Sequence, residues 1–366
     1  MKPKQQLFSL IGHYERILNQ DMNISEETYN DLTELMIIMG KSLLNDQAEE
    51  KISIDVPRLK EELILWKYYR EGSIRCFLLN NGEKEQSSLI STGIISLLPL
   101  IIGNYDLETL EQELYAFASE TKQKSDRLVL FLLMGKAIHT VMFKQYSNID
   151  SFVQSLKEYI IFLNYDRFVQ KEPEGNHNDK IAFEKEKIRW IMDLDRISKE
   201  ELPGKDRIDD NSQLIFIQSI HLFLKYYEEP RFMELLKHFE VSSETKILSL
   251  ALRDLKKRKD PSSPQNNFEG DHQPIDQDSF LKDMDQYFNK LKQFEILKTP
   301  YKVKKTAPPG YTDTKNLFLL KPGEKGRHLI LRDFEIIEKT VLKDRLQLVV
   351  KTKSRYYKLK KPLAKG

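Results

Sequence analysis

The sequence predicts a mainly α-helical protein that ends in a small basic α+β module. Three observations carry this. Apolar residues recur at helical spacing up to about residue 258. Gly and Pro number only 14 each in 366 residues, which disfavours turn-rich β architecture. Near the C-terminus the pattern changes to short β-prone runs, "NLFLL", "HLILRDFEII", "RLQLVVKT" and "RYYKLK", divided by "KPGEKG" and "VLKD".

The elements follow in order. Gln6–Leu18 reads as an amphipathic helix. The next helix is capped by Asn23 or Ser25, with Glu26 and Glu27 near its positive end. Leu32, Leu35, Met36, Met39 and Leu43 make one apolar face of it, and Ile37 and Ile38 cover most of the rest, so this helix is central and buried. Pro57 opens a third helix and Gly72 ends it. Further helices are expected at 87–102, 107–121, 126–143, 149–163, 181–194, 210–227, 231–239 and 243–257. No fixed-period repeat is present, which disfavours a solenoid. "DPSSPQNNFEGDHQPIDQ" reads as a linker, and one more helix, 278–294, precedes the strands. The expected division is a helical domain at 1–258, a linker at 259–277 and an α+β module at 278–366.

Charge divides the chain as well. Residues 301–366 carry 18 Lys and Arg against 6 Asp and Glu, a balance of +12, which leaves −10 for the first 300 residues of a chain whose net charge is +2. A single cysteine, Cys76, excludes an intramolecular disulfide and a multi-cysteine zinc site, and its apolar neighbours suit a buried thiol. The first 20 residues lack the apolar core of a signal peptide, and the window 89–103 is too short to span a bilayer. A cytoplasmic protein without a transmembrane segment is the expectation.

Several stretches carry a resemblance. "YNDLTELMIIMGKSLL" opens a buried helix with a Thr/Asp-type motif. "LILWKYYREG", "STGIISLLPLIIG" and "YAFASETKQKSDRLVLFLLMGKAI" follow it. "DDNSQLIFIQSIHLFLKYYEEPRFMELLKHFEVSSETKILSLAL" closes the series. In this order, from Ser25 to Leu252, they resemble the ADP-ribosylglycohydrolase family. The resemblance implies an orthogonal helical bundle with a two-metal site, usually magnesium, and an ADP-ribose-like or other nucleotide ligand. Its metal motifs are Thr-Asp-Asp-Thr at the first helix and Asp-Thr-Asp-Thr near the end. Here Asn30, Asp31, Leu32 and Thr33 stand at the first, and Ser242, Ser243, Glu244 and Thr245 at the second. Asp31, Thr33, Glu244 and Thr245 are therefore the candidate metal ligands that the resemblance leaves. Ile95 and Ser96 replace a Met-Arg pair, and Lys122 replaces a His. The family's N-terminal Gly-Asp segment and its Glu ligand have no counterpart in the sequence.

These departures fall on the chemistry. Magnesium needs octahedral oxygen coordination, and carboxylates supply the compensating charge. Leu32 puts a branched methyl where a carboxylate would stand, and two remaining carboxylates are too few for a dinuclear centre. The same residues have a plainer role. Asp31 suits the first turn of a helix, and "SSET" is a good capping sequence. No P-loop, Gly-x-Gly-x-x-Gly or Gly-x-Ser-x-Gly motif is present, and the seven histidines form no zinc pattern. His139 and His221 lie in apolar helix patterns and suit buried, hydrogen-bonded rings.

The last stretch, "KTKSRYYKLKKPLAKG", holds seven Lys and Arg and no acid. Lys351, Lys353, Arg355, Lys358, Lys360 and Lys361 interleave with Tyr356 and Tyr357, a mixture that suits nucleic acid, an anionic membrane surface or an acidic protein. A solvated, frayed tail has the same composition.

Three functions follow, in this order. The first is a catalytically degenerate ADP-ribosylglycohydrolase-like domain acting as a binding or scaffold domain, with no resident cofactor. The second is a weakly magnesium-dependent ADP-ribosyl hydrolase. The third is a helical adaptor whose basic C-terminal module binds nucleic acid or an acidic partner.

Overall fold

The computed structural model describes residues 6–18, 31–69, 94–121, 123, 125–143, 148–169, 177–198, 211–257, 279–296, 298, 311–353 and 356–363. Cys76, the linker at 259–277 and Arg355 lie outside them. The chain forms two compact units. One joins Met1–Ile54 to Gly82–Lys298, and the other joins Asp55–Asn81 to Thr299–Gly366.

The first unit is helical. It contains α1 (Leu7–Leu18) and α2 (Asp31–Lys41), then the strands β1 (Leu43–Asp46) and β2 (Lys51–Ile54). The helix α3 (Val56–Tyr69) belongs to the second unit. The first unit resumes with a 3₁₀ turn at Ile94–Leu97 and α4 (Leu98–Gly103), α5 (Leu107–Glu120), α6 (Ser125–Phe143), α7 (Ile149–Phe162) and α8 (Asp166–Val169). It ends with α9 (His177–Ser198), α10 (Asn211–Tyr226), α11 (Phe232–Lys237), α12 (Ser243–Lys257) and α13 (Ser279–Lys292). Among the described residues no helix is long and apolar enough to cross a membrane.

Local chemistry sets these helices. Asp106 caps α5 by accepting from the Thr109 N–H at 2.7 Å. Asn148 and Ser151 form a reciprocal capping box on α7. The run Leu35–Met39 is buried throughout, as a helix apolar on every side must be. α10 and α12 approach closely along small residues. Ser219 donates to the Thr245 carbonyl at 3.1 Å, and Ser249 returns a bond to the Ser219 carbonyl at 3.2 Å.

The hairpin β1–β2 has no counterpart in the helical periodicity. Each strand has only four residues, and Glu50, not glycine or asparagine, takes the left-handed position in its turn at φ 49°. The edge of β2 is satisfied by a side chain: Asn104 accepts from the Ile52 N–H at 2.9 Å and donates to the Ile52 carbonyl at 2.8 Å.

The division differs from the expected one at two helices. α13, expected with the C-terminal module, packs on α1. Its buried residues Leu281, Met284, Phe288 and Leu291 form one stripe, and Phe288 meets Phe8 edge to face at 5.8 Å between ring centroids. Emptying such a site costs about 3–5 kcal/mol. Gly12 of α1 allows the close approach, because a Cβ there would lie 2.5 Å from Leu281.

The other helix is α3, expected with the helical domain. It packs in the second unit, against the antiparallel sheet β3 (Lys325–His328), β4 (Arg332–Val341), β5 (Arg345–Thr352) and β6 (Tyr356–Pro362), ordered β3-β4-β5-β6. Leu65 joins the sheet core of Leu317, Phe318, Phe334, Ile336, Leu348, Val350 and Leu359, and the Tyr68 ring lies 5.0 Å from that of Phe318. Periodicity marks the apolar face of a helix but not the partner that covers it. "HLILRDFEII" is not one strand: His328 closes the corner between β3 and β4. Its Nδ1 accepts from the Ile330 and Leu331 N–H groups, both at 3.1 Å, so its Nε2–H donates to Thr314 at 3.0 Å. Burial lowers its pKa to about 4, and the ring is neutral at ordinary pH.

Candidate functional site

The mouth of α2 is built from three helices. α1 lies against α2 and α12. Glu15, one turn before the end of α1, reaches the start of α2 from a position only 6% exposed. Its Oε1 accepts from the Leu32 N–H at 3.1 Å, and its Oε2 accepts from the Thr33 N–H at 2.8 Å and from the Thr33 hydroxyl at 2.5 Å. These are the second and third residues of α2, whose N–H groups have no partner within the helix. The positive end of the α2 dipole adds to the attraction.

Glu244, the second residue of α12, lies within electrostatic reach of Glu15. Burial is the main cause that raises its pKa, and the negative charge of Glu15 raises it further, to about 7. Glu244 is therefore about half protonated near neutral pH. Its neighbour Thr245 is fully buried. Its N–H donates to the Ser242 hydroxyl at 3.1 Å, and the two hydroxyls are 2.9 Å apart. Ser242 thus caps α12.

The candidate ligands sort as follows. Thr33 and Glu244 are brought together through Glu15. Thr245 is held in the cap of α12. Asp31 opens α2, but its side chain lies outside the described residues, as does Asn30. Glu15 is the residue that reading the sequence missed. It approaches the mouth of α2 from α1, across the contact between the two helices.

These residues do not fit a two-magnesium centre. Leu32, at the second-carboxylate position, is 3% exposed and offers no oxygen. Three of the roughly four lone-pair sites of Glu15 already accept hydrogen bonds. Glu244 must lose a proton from a carboxyl that resists ionisation before it can ligate. Among the described residues no group of three or more His, Cys, Asp or Glu could hold a metal ion.

A surface cleft of about 420 Å³ lies elsewhere, lined by Tyr226, Glu229, Arg231, Glu234, Leu235 and His238, and it includes none of the four candidate ligands. The two apolar-helix histidines are placed differently. His221 is buried, whereas His139 is only half-buried and donates from Nε2 to the Tyr105 carbonyl at 2.7 Å. Trp66 is fully buried, but in α3, so "LILWKYYREG" lies at least partly in the second unit.

Within the basic stretch, Tyr356–Pro362 forms the edge strand β6. β6 pairs along β5, with Lys351 opposite Tyr356, Val349 opposite Lys358 and Gln347 opposite Lys360. Alternation divides the predicted residues between two faces. Tyr357 and Leu359 pack on the sheet core, and the Lys361 ammonium lies 5.7 Å from the Phe318 ring on that side. Lys351, Tyr356, Lys358 and Lys360 point the other way. Lys353 is exposed just beyond β5.

Comparison of the chain with family models, curated proteins and solved structures finds no match.

Proposed function

We propose that the protein acts by binding and not by hydrolysis: its helical unit is an ADP-ribosylglycohydrolase-like scaffold whose metal chemistry has been replaced by hydrogen bonds. One observation carries this reading. At the mouth of α2, Glu15 engages two backbone N–H groups and the Thr33 hydroxyl, a carboxylate spent on holding a helix. Beside it, Leu32 supplies no charge and Glu244 is half neutral. A ligand of the ADP-ribose or other nucleotide class would bind such a domain without a metal to orient water.

Calorimetric titration with ADP-ribose, with and without magnesium, tests the reading, together with a turnover assay on an ADP-ribosylated protein. The expected result is heat of binding that magnesium leaves unchanged, and no release of ADP-ribose. Magnesium-dependent turnover overturns the proposal. Absence of any nucleotide binding transfers the function to the helical-adaptor reading.

A further inference from the structure

We infer that the open face of the C-terminal sheet, along β5 and β6, is a binding surface for single-stranded nucleic acid. Among the described residues the sheet has one covered face and one exposed face. α3 and the 3₁₀ turn at Asn316–Leu319 cover the first, where Leu348, Val350 and Leu359 are buried. The other face presents Lys351, Tyr356 and Lys358, all exposed, with Lys360 next along β6. Tyr356 is 62% exposed, so its ring is offered to solvent on a rigid strand. The Lys351 ammonium stands 6.0 Å from the ring centroid, across the β5–β6 pair. A base stacked on Tyr356 would have ammonium groups on both flanks for its phosphates.

The strands of this face differ in charge, with Glu335 and Glu338 of β4 bordering β5 opposite Lys351 and Val349. On β3 and β4 cations meet acids: Arg327 pairs with Asp333 at 2.7 Å and Lys325 with Glu335 at 3.6 Å. β5 and β6, "RLQLVVKT" and "YYKLKKP", contain no acid at all. Positive charge is thus concentrated on the two strands that carry the exposed ring. An acidic protein would use the lysines but has no need of a bare aromatic at their centre. Single strands use both, because every base has a face to stack and every nucleotide a phosphate. A duplex hides its bases and leaves the ring idle.

Fluorescence anisotropy of a labelled oligothymidylate of about 12 nucleotides, a length such surfaces span, tests this with the full chain at several salt concentrations. The single strand is expected to bind more tightly than a duplex of the same length, and more weakly as salt rises. Tyr356→Ala is expected to lower affinity about tenfold with the salt slope unchanged, and Tyr356→Phe to restore it. Lys351→Gln with Lys358→Gln should lower affinity and reduce the salt slope by about 1.4. All these side chains are exposed, so thermal unfolding should not change. No binding overturns the inference. So does binding that ignores Tyr356→Ala, or that polyglutamate competes away as well as unlabelled single strand does, since either marks a general polyanion surface.

Discussion

Two helix mouths in the first unit are built the same way and end differently. At α1, Asp285 of α13 accepts from the Phe8 and Ser9 N–H groups at 2.8 and 3.1 Å. At α2, Glu15 of α1 accepts from the Leu32 and Thr33 N–H groups. In both cases the second and third residues of the helix are held by one buried carboxylate from another helix. Among the described side chains the difference is Glu244, a further carboxylate that acts on the one at the mouth of α2. Capping needs one carboxylate, and the first mouth shows that one is enough. A helix mouth with a buried acid is therefore a structural device in this protein. Only the acid added to it asks for another explanation, and its raised pKa is the physical mark of that addition.

The largest effect should come from the simple mouth. Asp285→Ala leaves two buried N–H groups without their acceptor and removes a charge from the end of a dipole. A loss of about 3 kcal/mol is expected in urea unfolding. Asp285→Asn keeps one acceptor oxygen and should lose about half as much. If both variants unfold like the parent, the bond across 277 residues is not holding α1 to α13.

Glu15→Ala should cost less, about 1–2 kcal/mol, although it removes three hydrogen bonds instead of two. The same change relieves Glu244 of a like charge, which offsets part of the loss. The cycle of Glu15→Gln and Glu244→Gln isolates that term. A coupling of about 1 kcal/mol is expected at pH 8, and none where Glu244 is protonated. A coupling that is the same at both pH values would separate the two acids and break the contrast between the mouths.

Both caps explain how far the site was legible. The helices were legible because their apolar residues repeat at helical spacing over long stretches, and α1, α5, α7, α10 and α12 lie close to their expected spans. Glu15 was not, yet its signal is in the sequence. It falls four residues after Ile11 and eight after Leu7, on the buried stripe of α1. Asp285 falls likewise between Leu281 and Phe288 on the stripe of α13. An acid on an apolar stripe announces a buried partner but does not name it, because the partner is a backbone group brought there by the fold. The pairing of α3 with the sheet was hidden for the same reason. Its Leu65 is apolar in any helix, and only the tertiary arrangement decides what covers it.

The smallest effect is the one that most sharply separates the mouths. The carboxyl of Glu244 ionises near pH 7 in the folded protein and near 4.5 in an ordinary setting. Between those values the folded chain holds a proton that the unfolded chain has lost. Stability therefore falls as pH rises through this window, and the full penalty is present above pH 7. Because Glu244 is partly open to solvent, the penalty is on the order of 1 kcal/mol, well below what the whole shift implies. Glu244→Gln removes it. The variant should match the parent at pH 4 and exceed it by about 1 kcal/mol at pH 8, so the two curves diverge between those limits. Asp285→Asn offers the control: at pH 8 it should lower stability where Glu244→Gln raises it. A Glu244→Gln curve parallel to the parent would return this mouth to the pattern of the first, with an acid that serves only to start a helix.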